Sequence, residues 1–529
     1  MPHLSLKEFE RAVADARTLY PGKTLAVPIV ERLLSDQLTP VLAYRRLVAP
    51  DDRTAPSFLL ESVEGGERAG RHSFLGAQPV TEVIARGRSV TVRSRAGSRA
   101  FTSDDPLNDI RELSAGVVPV VVDYPGDRPV FIGGWVGYAA YDAVRYAEPA
   151  KLASSPPDDR GLPDLHMALY DSVCVFDNAA KCVHVIQTVL VEPAAEPGER
   201  YARGCERLAD RVSQVQRHVT PLASGTLTPG TPRSAAEPAP GVASNITRER
   251  HAEMVERAKE YIRAGDIFQV VIGQRFERLS KADPFDVYRA LRAVNPSPYM
   301  VYLQAEGCIL MASSPEILCR VRRSPGESLE VTNRPLAGTR ARGVSPDDDA
   351  RLERELLADP KERSEHVMLV DLGRNDVGRV ARACSIKLPR VMEVERYSHV
   401  MHISSTVTGE LRPGLDAWDA LRAALPVGTI SGAPKVRAMQ VIDELEPVRR
   451  GPYGGGMGYV GFDGQMDIAL TLRTIVTPTA MRREGRWTYH AQAAGGIVAD
   501  SNARDEYAET VNKSMALIRA IELAERAFE

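Results

Sequence analysis

The chain contains no apolar run long enough to cross a bilayer as a helix, so no transmembrane helix is expected. Its six cysteines, Cys174, Cys182, Cys205, Cys308, Cys319 and Cys384, make no C-x-x-C pair and have no matching histidine cluster. That excludes a zinc ribbon and a disulfide framework, and predicts thiols in a reducing compartment. None of them sits in a glycine-framed nucleophile elbow with a histidine downstream, so the chain is not expected to hydrolyse glutamine by itself. A phosphate-cradling Walker loop is missing as well. Charge of one sign is also lacking, because 67 basic residues face 70 acidic ones for a net charge of -3. Neither nucleic acid nor an anionic membrane is therefore the expected main partner. The opening MPHLSLKEFERAVADARTLYPG reads as an amphipathic helix carrying acids, not as a signal peptide. A cytoplasmic protein is the expectation.

At 529 residues, two or three domains or one large composite are expected, and 43% hydrophobic with 26% charged residues is ordinary for a globular chain. Residues 221–247 are rich in Pro, Gly, Ser, Thr and Ala and read as a flexible linker between an N-terminal region, 1–220, and a catalytic region, 248–529. Strand-like runs outnumber helical ones and arrive in hairpin-like pairs, which favours an α+β fold with mostly antiparallel sheets. Helices are expected at ERYARGCERLADRVSQVQRHV, at residues 284–294, and after the capping Thr247. DIALTLRTIVTP and RWTYHAQAAGGIVAD read as strands. GMGYVG satisfies G-x-G-x-x-G, but a turn and a strand follow it where a dinucleotide site needs a helix. It reads as a glycine-rich bend between strands.

The chemistry-bearing stretch is DPKERSEHVMLVDLGRNDVGRV. Pro360 can open a helix, and on it Glu362, Glu365 and His366 share one face. Val367, Met368, Leu369, Val370 and Leu372 then point in nearly every direction, which predicts a helix buried on all sides. Taken alone, E-x-x-E is most often a solvated face. A second helix, SNARDEYAETVNKSMALIRAIELAE, places Glu506, Glu509 and Lys513 on one stripe. Two such helices suit a hard divalent cation such as magnesium, which takes few protein carboxylates and leaves room for water or an anionic ligand. Arg473 within LTLRTIV is a lone cation among apolar neighbours, either a structural ion-pair partner or a fork for a substrate carboxylate. Small residues at Ala493–Ile497 offer backbone N–H groups, although a tight strand-to-loop bend explains them equally. His402 reads by default as a satisfied core histidine.

RPLAGTRARG, DPKERSEHVMLVDLGRNDVGRV, SHVMHISSTVTGEL, PVGTISGAPKVRAMQVIDELE and YGGGMGYVGF together resemble the chorismate-utilising enzymes, within them the large subunits of anthranilate synthase. The resemblance implies two large, orthogonally packed antiparallel sheets flanked by helices, with the N-terminal part interleaved. It implies magnesium on Glu365 and Glu509, with Glu362 and Glu506 beside metal and substrate. Glu362 would help the C4 hydroxyl of chorismate depart, and His402 would act in the later loss of pyruvate. Gly338, Thr339, Thr429, Tyr453, Arg473, Ala494, Gly495 and Gly496 match chorismate-site positions, and Glu316 and Lys513 match further site residues. Ala494 departs from the family's usual glycine, which matters only where that residue needs a positive φ.

A regulatory site for tryptophan is implied at Glu61 and Ser62 of LLES and at Asn295, Pro298, Tyr299 and Met300 of NPSPYM. Gln269 and Ala337 stand where isochorismate-forming and aminodeoxychorismate-forming relatives carry lysines. Anthranilate formation is therefore the implied reaction, with ammonia from a separate glutamine amidotransferase subunit in a heterotetramer of two large and two small chains. Aminodeoxychorismate synthesis and a non-catalytic tryptophan-binding subunit are the alternatives.

Overall fold

The computed structural model describes residues 2–48, 55–62, 70–124, 129–217, 222–227, 237–324, 328–397 and 400–528. Among them, strands form one thirteen-stranded and one twelve-stranded sheet. The strand pairings are antiparallel apart from Thr24–Leu34 with Val117–Pro119. Helices flank both sheets, so the α+β expectation holds.

Both halves of the chain build both sheets. In the larger sheet Ser57–Glu61 lies between Tyr299–Ala305 and His72–Ala77. In the smaller one Gly134–Ala139 lies between Gly456–Gly461 and Leu165–Tyr170. Phe58, Val136, Tyr138, Leu303, Leu310, Met457 and Tyr459 pack as one buried cluster between strands of the two sheets. Burying a side chain of this size contributes about 1.5–3 kcal/mol, so residues before 221 and after 247 share one core. GMGYVG is itself a strand, Gly456–Gly461, and not the expected bend. The end of the linker, Val242–Ser244, pairs with Gln269–Ser280, while residues 221 and 228–236 lie outside the described ones.

Two neighbouring stretches cross between the sheets. Cys308–Ser314 belongs to the larger sheet, and the chain re-enters the smaller at Ile317–Arg323. Met466–Leu470 belongs to the smaller sheet, and the chain re-enters the larger at Thr474–Pro478. DIALTLRTIVTP is therefore two strands, and Arg473 lies in the gap between them with φ at 45°. That left-handed conformation is uncommon for a residue with a Cβ. Because each strand pairs with its counterpart on both sides, the two crossings run together. Leu470 N–H donates to the Glu316 carbonyl at 3.0 Å, and Ser313 N–H donates to the Arg473 carbonyl at 3.1 Å.

Candidate active site

The first carboxylate helix, Pro360–Gly378, starts where the sequence places it. Pro360 occupies the first turn, and the Asp359 carboxylate accepts from the N–H groups of Lys361 at 3.0 Å and Glu362 at 3.4 Å. Such a cap is worth about 1 kcal/mol. The helix is not buried on every side: Val367 is 55% exposed, whereas His366 is fully buried with its Nε2 2.6 Å from the Ser405 hydroxyl. Only one stripe packs on the strand Val400–Glu410, so the apolar run gives no all-round burial, and His366 leaves the carboxylate face.

The second carboxylate helix, Ala503–Ala527, carries Glu506 and Glu509 in its first two turns. The strand Trp487–Ile497 lies beneath it, and its glycines permit a close approach. A Cβ on Gly495 would lie 3.0 Å from Glu506 Oε2, and one on Gly496 would lie 2.6 Å from Gln269 Nε2 and 3.7 Å from Glu365 Oε1. Ala493 to Ile497 is thus regular strand and not a bend. Gln269 Nε2 donates to Glu365 Oε1 at 3.0 Å. Burial raises the Glu365 and Glu506 carboxyls above the ordinary glutamate value, and the neighbouring charges of Glu362 and Glu509 on the first, and of Glu509 on the second, add to the shift. Glu506 Oε2 is buried without a hydrogen-bond partner. Lys513 Nζ sits 2.6 Å from Glu509 Oε1 and donates to the Ala494 carbonyl at 2.9 Å.

Among the described residues, no three acidic, histidine or cysteine side chains converge closely enough to form a complete metal cage. Magnesium does not require one, because it binds through one or two carboxylates and keeps several positions for water and substrate oxygens. The carboxylates of Glu365 and Glu509, with the buried, unpaired Glu506 Oε2 beside them, suit that requirement.

On the opposite wall, Gly338 interrupts the pairing of Leu336–Ala341 with Val400–Glu410 as a bulge, with φ at 66°. A Cβ there would lie 3.2 Å from Glu362 Oε2. The bulge turns its carbonyl toward His402, whose Nδ1 lies 3.1 Å from that oxygen and 3.0 Å from the Thr339 hydroxyl. Burial, aided by the charge of Arg473, lowers the His402 pKa to about 4, so the ring is neutral. Glu316, sealed in its crossing, accepts from the Thr429 hydroxyl at 3.0 Å, and burial pushes its carboxyl up to about 8. The buried Tyr453 hydroxyl is hydrogen-bonded to the Ala494 backbone, and burial raises its pKa.

The chorismate binding enzyme family model matches residues 56–519. The chain belongs to the chorismate binding enzyme family. It is 50% identical to the anthranilate synthase alpha subunit 1 of Arabidopsis thaliana, which is named chloroplastic, covering 100% of this chain and 90% of that one. It is 44% identical to anthranilate synthase component 1 of Pseudomonas aeruginosa, covering 99% and 100% of the two chains. Among solved structures it resembles anthranilate synthase component I from Streptococcus pneumoniae, at 33% identity and a TM-score of 0.69, over 92% of this chain and 99% of that one. The menaquinone-specific isochorismate synthase from Escherichia coli shares the fold at 19% identity and a TM-score of 0.63, over 97% and 99% of the chains.

Within this chorismate binding enzyme the four glutamates, Gln269, Lys513 and the 494–496 backbone gather at one place. Gly338, Thr339, His402 and Arg340 join them through Glu362, because Arg340 Nη1 donates to Glu362 Oε1 at 3.1 Å. Arg473 lies close enough for its charge to act on both Glu316 and His402. The sequence does not mark Gln269 or Arg340 as contacts of the carboxylates: Gln269 stands out only as the position of an absent lysine, and nothing in RPLAGTRARG distinguishes Arg340 from its neighbours. Ala494 has an ordinary φ and lies opposite Gly273, whose missing side chain makes room for the extra methyl.

The implied tryptophan residues also meet. Glu61 stands opposite Met300 in the sheet and is buried. It accepts from the Tyr288 hydroxyl at 2.7 Å and pairs with Arg292 at 2.9 Å. The Ser62 hydroxyl is buried without a partner. Asn295 ends the helix Pro284–Val294, Pro298 is half-buried, and the Tyr299 hydroxyl donates to Asp467 at 3.2 Å.

Proposed function

We propose that this chain is the large subunit of an anthranilate synthase, converting chorismate and ammonia to anthranilate, pyruvate and water as a lyase of tryptophan synthesis. The observation that carries the reading is identity of 44–52% along essentially the whole chain to such subunits from plants and a bacterium. Gln269 and Ala337, in place of lysines that would activate water or attack the ring, support amination over the two related chemistries.

Magnesium, when bound by Glu365 and Glu509 with Glu506 beside it, would supply positive charge for the substrate carboxylate. The remaining chemistry belongs to the chain. Arg473 and the backbone N–H groups near Ala494–Gly496 orient the dicarboxylate. Glu362 delivers a proton to the departing C4 hydroxyl while ammonia adds at C2. Nδ1 of His402 faces the Gly338 carbonyl, an acceptor only, so Nδ1 carries the proton and Nε2 holds a free lone pair. Nε2 is buried and unpartnered. It takes the C2 proton as the enolpyruvyl group leaves, and the ring becomes aromatic.

Ammonia comes from a glutamine amidotransferase partner in a two-plus-two assembly, and tryptophan inhibits at the Glu61–Asn295 pocket. The six cysteines are free, which supports a reducing, cytoplasm-like setting. Among the described residues no helix is long and apolar enough to cross a membrane.

The test is anthranilate fluorescence from the purified chain with chorismate, magnesium and ammonium at mildly alkaline pH. Signal that requires magnesium and falls with tryptophan supports the whole reading. Chorismate consumed without that fluorescence assigns the chain to aminodeoxychorismate or isochorismate formation. Chorismate left untouched assigns it to regulation.

A further inference from the structure

The sheet crossing that carries Glu316 is tied to the NPSPYM turn by two buried serines, Ser313 and Ser314. Asn295 Nδ2 donates to the Ser313 hydroxyl at 2.9 Å, and that hydroxyl donates in turn to the Asn295 carbonyl. The Ser313 N–H then donates to the carbonyl of Arg473 at 3.1 Å. In parallel, the Ser297 hydroxyl donates to the Ser314 carbonyl. The Ser314 hydroxyl donates to the Leu470 carbonyl at 2.6 Å, and Leu470 N–H donates to the Glu316 carbonyl at 3.0 Å. Ser313 and Ser314 are completely inaccessible, and Ser297 nearly so. At the far end, the helix that Asn295 closes holds Glu61 through Tyr288 and Arg292.

We propose that Ser313 and Ser314 are positioning residues that couple the Glu61–Asn295 pocket to the chorismate pocket, the first through Arg473 and the second through Glu316. The proposal rests on the reading that the first pocket takes tryptophan. Without water to exchange partners, a shift of the Asn295 turn leaves a buried donor or acceptor unpaired unless the serines follow. Arg473 has a backbone conformation that its own residue type does not favour, so its geometry depends on the bonds that hold it. A ligand that draws Asn295 and Ser297 inward therefore moves the backbone of both substrate-facing residues. Each crossing is a single short connection between two sheets, which leaves little slack to absorb the motion.

Coupling between two sites is reciprocal, so chorismate must weaken tryptophan binding by the factor by which tryptophan weakens chorismate binding. The experiment measures tryptophan Kd by calorimetry on the full chain with magnesium and without ammonia, in the absence and presence of saturating chorismate. The wild-type ratio of the two values is expected to exceed about tenfold, inside the usual allosteric range of 5–150-fold. In Ser313→Ala, which cuts the branch to Arg473, the ratio should fall at least about threefold, with the Kd for tryptophan alone changed less than about fivefold. Ser313→Thr keeps the hydroxyl and should keep the wild-type ratio. Ser297→Ala cuts only the branch to Ser314 and should lower the ratio at least about threefold, which keeps the proposal testable if Ser313→Ala does not fold. A wild-type ratio in both alanine variants overturns the relay alone. A wild-type chain that binds no tryptophan overturns the pocket reading and the relay with it.

Discussion

The carbonyl of Gly338 and Nδ1 of His402 face each other at 3.1 Å across a bulged strand pair, and this contact fixes which imidazole nitrogen is basic. With the Nδ1 proton committed, the buried Nε2 is the free base. His402→Asn removes that base and leaves the earlier amination intact. Removing a general base typically lowers turnover by about 10²–10⁴, so anthranilate should fall by that factor while an aminated, non-aromatic intermediate builds up. Chromatography of a single turnover reads both. Loss of chorismate consumption instead would place His402 in the first step.

The same ring predicts a stability signature. Its folded pKa of about 4 lies below the ordinary histidine value because burial disfavours the charged form. A depressed value contributes stability that is present above the unfolded pKa and is lost as pH falls through the folded one. Urea midpoints of the native chain should therefore fall between about pH 6.5 and pH 4, and His402→Asn should flatten part of that slope. An identical slope in both proteins would remove His402 as its source.

Glu316 shifts in the opposite direction. Burial lifts its carboxyl to about 8, so it keeps its proton at neutral pH. A raised value contributes stability that is complete below the unfolded pKa and is lost as pH rises through the folded one, here between about 4.5 and 8. Glu316→Gln mimics the protonated acid permanently. It should reduce the loss of urea stability expected of the native chain between about pH 4.5 and pH 8, and hold the Thr429 hydroxyl as before. A variant that loses stability across that window as steeply as the native chain would show that Glu316 is not the titrating group.

Much of this site was readable before the fold. The three-residue spacing of Glu362 and Glu365, and of Glu506 and Glu509, announced two carboxylate faces because helical periodicity is local. Residues 284–294 form the expected helix for the same reason. What escaped is set by distance along the chain: Tyr288 and Glu61 meet across 227 positions, and Gln269 and Glu365 across 96. Arg473 looked like part of one strand because both flanking runs are apolar and β-branched. Nothing local says that they enter different sheets. Val367 misled in the same way, since a run of large apolar residues does not reveal which of them lacks a neighbour.

Glu506 tests the metal assignment without an activity assay. Its Oε2 is buried and unpartnered, with Glu509 adding like charge. Leaving a buried polar group unpaired costs about 1–3 kcal/mol. Glu506→Gln should therefore stabilise the metal-free chain by ~1 kcal/mol in urea, while calorimetry shows magnesium affinity reduced at least about tenfold. Unchanged magnesium affinity would take Glu506 out of the ion's surroundings, whatever the stability does.

Ala494 and Gly273 stand opposite each other in adjacent strands, and their sizes are matched. A Cβ on Gly273 would lie 2.8 Å from the Ala493 carbonyl oxygen and 3.0 Å from the Ala494 methyl. Gly273→Ala should thus destabilise the chain by about 1–3 kcal/mol, as overpacking does. It should also raise the chorismate KM, because the displaced backbone is the one proposed to face the substrate. Adding Ala494→Gly removes the methyl clash but not the carbonyl one, so the double variant should regain part of the stability and not all of it. A urea double-mutant cycle measures that recovery as a coupling between the two positions, expected at about 0.5–3 kcal/mol for residues in contact. Strict additivity would mean that the carbonyl clash alone dictates glycine at 273. The alanine at 494 would then be tolerated for its own ordinary backbone conformation and not for the space opposite it.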